Sequence, residues 1–174
     1  MMKRLIVVGI ILVAMAVMLC PSLVGALSYA QIAITATGSD VSISCSQTDW
    51  DAGTLSHDEV AMTTDNDTWG RITNNTSEAV DVTIHGHDMA GSGVTWTLSE
   101  DGTNGVATIG MKFVLDGGAY QAIPKTTPAA FKTGLAGSGT QDFGLYLKAP
   151  ASGVGNVLMT MSSGGLYFEA TLHT

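Results

Sequence analysis

The sequence predicts an all-β fold, a single antiparallel β-sandwich with Greek-key, jelly-roll or immunoglobulin-like connections. Two observations carry that expectation. About ten short runs alternate apolar and polar residues and recur roughly every 8–12 residues, with Gly, Asn, Ser and Pro turns between them. No run beyond residue 30 keeps the helical period of an amphipathic helix.

Residues 1–30 read as a signal peptide ahead of the domain at 31–174. Lys3 and Arg4 form a basic head, Leu5 to Leu19 is almost wholly apolar, and small residues follow Pro21. Cleavage fits after Ala26 or after Ala30, the second being preferred because strand-like alternation starts directly behind it. An uncleaved leader would instead tether the chain to a membrane, since a span of about 30 Å is within its reach. Cys20 as a lipidated residue is disfavoured by the bulky Leu19 before it.

The mature part holds all fifteen acidic residues but only five of the seven cations, a formal charge of −10. Such a surface repels phosphate backbones, which excludes nucleic acid as a partner. Secretion and a place at the cell surface follow from the leader. Cys45 is the one cysteine beyond it, so no intramolecular disulfide can form. It shares an alternating face with Val41 and Ile43 and reads as a small buried hydrophobe, or else as a link between chains.

In chain order, Gln31 to Ser44 gives two strands broken at Gly38-Ser39-Asp40, followed by a turn-rich stretch to Asp67 with one short strand at Val60 to Met62. From Trp69 to Trp96 the spacing predicts a β-meander, in which Val80, Val82 and Ile84 fix the register of the central strand. Met111, Phe113 and Leu115 form a further strand, turned at Gly117-Gly118 into Ala119 to Ile123. Pro124 and Pro128 bar central pairing, and Ala129 to Leu135 is read as one helical turn. Strands centred on Leu145, Met159 and Phe168 end the chain.

Several constellations are candidates for chemistry. His85, His87 and Asp88 could ligate a metal, since imidazoles at i and i+2 of a strand share a face; exposed polar residues at a strand end are the alternative. Asp49-Trp50-Asp51 and Asp65-Asn66-Asp67 place acceptors as calcium loops do, without the full loop pattern, and equally suit turn capping. Otherwise no cofactor is expected. Trp50, Trp69 and Trp96 could form a sugar-stacking platform for polysaccharide, or fill the core. Asn66, Asn74 and Asn75 each open an Asn-x-Ser/Thr sequon at an expected turn. No Gly-x-Ser-x-Gly elbow or histidine-bearing helix is present, and a non-enzymatic role is expected.

The element Asp49-Trp50-Asp51-Ala52-Gly53-Thr54-Leu55, then Trp69-Gly70-Arg71-Ile72-Thr73-Asn74-Asn75 leading into Glu78-Ala79-Val80-Asp81-Val82-Thr83-Ile84, resembles secreted β-sandwich surface proteins of prokaryotes. More distantly it is similar to fibre subunits of the TasA/camelysin type and to WxL-like wall domains. Trp96-Thr97-Leu98 is the single Trp-x-Leu match, and the tandem signature is missing. A strand-rich acidic domain with no catalytic signature and few lysines to guard its edges points to a cell-surface or extracellular-matrix structural protein that assembles with copies of itself or other surface proteins. Gln31 to Thr37 would be the strand donated to a neighbour.

Overall fold

The computed structural model describes residues 30–38, 41–65, 67–91, 94–153, 159–161 and 165–174; the expected leader lies outside them except for Ala30. All regular structure among these residues is strand. The first seven strands are β1 (Ala30–Gly38), β2 (Ile43–Cys45), β3 (Asp49–Asp51), β4 (Val60–Met62), β5 (Gly70–Asn74), β6 (Val80–Gly86) and β7 (Met89–Gly91). The rest are β8 (Val94–Leu98), β9 (Thr108–Val114), β10 (Gln121–Ala122), β11 (Ala129–Leu135), β12 (Thr140–Lys148), β13 (Met159–Met161) and β14 (Leu166–Leu172). The all-β class is as expected. The extra strands over about ten are mainly short pieces such as β3 and β7, too brief for alternation to stand out.

The pairing path runs β11-β6-β14-β1-β13-β7-β8-β9-β12-β5-β2, with β10, β3 and β4 on β9, β1 and β12. It is mixed, which corrects the wholly antiparallel expectation: β1 lies parallel to β13 and β14, and β8 parallel to β9. β1 is distant in sequence from β13 and β14, so no hairpin forces reversal there, while β8 and β9 are consecutive and joined by residues 99–107 rather than by a tight turn.

The meander is also corrected. β7 and β8 do form an antiparallel hairpin, but β5 pairs with β2 and β12 while β6 pairs with β11 and β14. The Asn-Asn-Thr-Ser turn therefore carries the chain from one set of strands to another. The β11-to-β12 connection makes the same passage beside it, since Thr73 faces Thr140 before the corner and Val80 faces Leu135 after it.

Asn74 fastens the two passages together. It is fully buried, and its Nδ2 donates to the carbonyls of Glu78, Leu135 and Ala136 at 2.8, 3.1 and 3.0 Å. Its Oδ1 accepts the Thr76 N–H and hydroxyl. Gly137 meets the Ser77 carbonyl so closely that any Cβ there would overlap it.

The segment read as a helical turn is strand β11. Phe131 and Leu135 are buried, and the antiparallel register with β6 slips twice, between Ala130 and Lys132 and again between Lys132 and Leu135, around Gly134 at φ +62°. Ala and Lys give this segment helical propensity, but burying two large apolar side chains against β6 decides its state.

Around Phe131 the core is aromatic. Its ring lies 5.3 Å from Phe113 of β9, 5.6 Å from Phe143 of β12 and 4.9 Å from Phe168 of β14. Strands from both sides of the corner thus bury one common core. The β9–β10 turn uses Asp116 and Gly117, both at positive φ, closed by the Gly118 N–H on the Leu115 carbonyl at 2.8 Å. That is one residue earlier than the Gly117-Gly118 pair suggested, and Asp tolerates the left-handed region.

Candidate functional site

Along β6, Val80, Val82, Ile84 and Gly86 are buried, which leaves Asp81, Thr83 and His85 on the outer face. β14 presents Tyr167 directly opposite His85. The two rings stack at 5.2 Å and 8°, and His87 packs edge-on to Tyr167 at 5.1 Å and to His85 at 5.7 Å. His85 Nδ1 is buried without a hydrogen-bond partner. The His-Gly-His segment thus forms an aromatic cluster with a tyrosine that sequence spacing could not have brought to it.

Asp88 is engaged elsewhere. Its Oδ1 accepts the Leu98 N–H at 2.9 Å and its Oδ2 pairs with Lys125 Nζ at 2.8 Å, tying the start of β7 to β8 and to the loop after β10. Among the described residues, no three His, Cys, Asp or Glu side chains are grouped to hold a metal. Asp49 and Asp51 flank the buried Trp50 on β3, and the Asp51 carboxylate accepts the Gly53 N–H at 2.8 Å, with Gly53 at φ +74°. That is the turn-capping alternative of the two readings.

The tryptophans do not form an exposed platform. Trp50 and Trp96 are 7% and 3% exposed. Trp69 is half-buried, tilted on Trp50 at 6.2 Å and edge-on to Phe143 at 6.0 Å. Asp-Trp-Asp on a strand puts the indole inward, so its alternation already carried the signal. Trp50 and Trp96 thus follow the core-filling alternative.

The three sequons separate. Asn66 lies outside the described residues. Asn74 is corrected from exposed turn to buried clamp, its amide nitrogen committed to three carbonyls. Asn75 is exposed, its backbone N–H held by the Ser42 carbonyl at 2.7 Å. Cys45 is half-buried, and burial pushes its thiol above the ordinary range, as suits a small packing residue.

Two further side-chain contacts brace the outer faces. Arg71 on β5 forks onto Asp142, its direct neighbour on β12, and holds that carboxyl below its usual range. Asp81 is lowered first by the Gly134 N–H and then by His173, whose Nδ1 lies 2.8 Å from its Oδ1.

The strand edges differ in how they are guarded. β3 shows Asp49 and Asp51, and β11 is broken by its register slips. β4 instead shows Val60 at 40% and Met62 at 57% exposure. Met62 meets the Tyr120 hydroxyl at 3.4 Å, and Tyr120 packs on Tyr146 at 5.4 Å. β1 divides its length: Gln31 to Ala33 pair with β3, and Ile34 to Gly38 pair with β14. Neither of these partners is joined to β1 by a tight hairpin.

Comparison with protein-family models and with curated proteins finds no match for this chain.

Proposed function

We propose that this chain is a non-enzymatic, secreted structural protein of the cell surface or extracellular matrix, a fibre subunit that assembles by strand exchange. The fold we propose for it is a two-layer sandwich, with β11, β6, β14 and β1 facing β9, β12, β5 and β2 across the phenylalanine core.

The observation that carries the assembly is the seating of β1. Its Ile34 to Gly38 half lies at the end of the β11-β6-β14-β1 row, parallel to β14 over five paired positions, and backbone pairing rather than a hairpin sets its register. A second copy's β1 satisfies the same donors and acceptors in the same register, so exchange costs few pairings once β1 has left its own sheet. The apolar edge at Val60 and Met62 gives a lateral contact of the kind unguarded edge strands make.

The test is the mature chain refolded from denaturant over a wide concentration range, followed by light scattering and electron microscopy. Fibres or a ladder of oligomers that grows with concentration are expected. A monomer throughout would overturn the proposal.

A further inference from the structure

We propose that Asn75 is a glycan-acceptor site, and that the adjoining Asn74 is not. The segment Asn74-Asn75-Thr76-Ser77 contains two overlapping Asn-x-Ser/Thr sequons, which the sequence alone does not rank. The corner ranks them.

Asn74 Nδ2, the atom that would be glycosylated, has no exposed surface and is directed at three backbone carbonyls. The Thr76 hydroxyl that completes its sequon bonds Asn74 Oδ1 at 2.6 Å. A sugar on Asn74 would break the clamp that joins the β5–β6 and β11–β12 passages. Asn75 and Ser77, the two ends of the second sequon, are both exposed. The bond from the Asn75 N–H to the Ser42 carbonyl fixes the backbone and leaves the side chain in solvent.

The donor is an oligosaccharide carried on a lipid phosphate, the chemical class that N-linked transfer uses. A bond forms between Asn75 Nδ2 and C1 of the first sugar, the bond from C1 to the lipid phosphate oxygen breaks, the lipid phosphate leaves as an anion, and the amide loses one proton to base. The site lies beside the Thr140 end of β12, whereas the apolar β4 edge pairs at its Lys148 end. That is a separation of roughly 20–26 Å along the strand. A glycan at Asn75 therefore leaves the β4 edge open.

The test is secretion of the full chain from a host that performs N-linked transfer, with site-resolved mass spectrometry of peptides covering residues 72–79. The wild-type chain is expected to carry sugar on Asn75. Ser77→Ala, which removes that sequon and keeps the one at Asn74, is expected to lose all sugar from this corner, as is Asn75→Gln, with the melting temperature of the deglycosylated protein unchanged. Sugar on Asn74 in any of these chains, or a secreted wild-type corner without sugar, would overturn the proposal.

Discussion

Asn74 shows how much one side chain can do at a crossing of strands. Three carbonyls and two Thr76 groups depend on its amide, which is itself fully buried. Leaving such groups without partners costs about 1–3 kcal/mol each when water cannot reach them. Asn74→Ala is expected to lower unfolding free energy in urea by about 3 kcal/mol, and Asn74→Asp by a similar amount because it turns an oxygen toward carbonyls. A change below about 0.5 kcal/mol would show that the corner does not need the clamp. Asp81 and Asp142 belong to the same scale. Both carboxyls are depressed in the folded chain, so their contribution is present above the unfolded value near pH 4 and is lost as pH falls through the folded value. Urea midpoints should hold steady from neutral pH down to about pH 5 and drop below it, and Asp81→Asn should flatten part of that drop. His85 and Tyr167 illustrate what residue spacing hides, since the ring that His85 stacks on comes from a strand far along the chain.

At the scale of the element, legibility followed alternation. β6, β12 and β14 were readable because their apolar residues recur at every second position and a one-residue slip would expose them all. β11 was not, because Ala, Lys and an interior Gly offer no clean period and its bulges break the register. The meander failed for another reason: alternation tells which face is buried but not which strand lies alongside. Close approaches at glycine supply a test of that pairing. A Cβ on Gly165, at φ +82°, would overlap the Ala33 carbonyl where β1 lies beside the start of β14. Gly165→Ala should cost more than about 2 kcal/mol. Gly134→Ala, with its ideal Cβ in ordinary contact 3.5 Å from His173 and only its φ of +62° against it, should cost about 1 kcal/mol. Equal losses at the two positions, measured by thermal and urea unfolding, would argue against the tight β1 seat.

For the whole molecule, one aromatic core joins strands from both sides of the corner. Phe143 has no exposed surface and touches Trp69, Phe131 and Phe168, so Phe143→Ala is expected to cost about 3–5 kcal/mol and to unfold the domain in one transition. The fold class was legible because it rests on period and turn chemistry along most of the chain. The candidate sites were less so: Trp50 could be read inward from its alternation, but Asp88 found Lys125 and Asn74 reached the carbonyls of Leu135 and Ala136 through contacts distant in sequence. The proposed assembly rests on the pairing of β1 with β14, in which Thr37 lies opposite Glu169. The most direct measurement puts Thr37→Cys in one isotope-labelled chain and Glu169→Cys in an unlabelled one, both on a Cys45→Ser background. The two are refolded together and oxidised. Strand exchange predicts a labelled-to-unlabelled disulfide joining positions 37 and 169 of different chains; cross-linking confined to a chain bearing both substitutions, with none between the single variants, would contradict it.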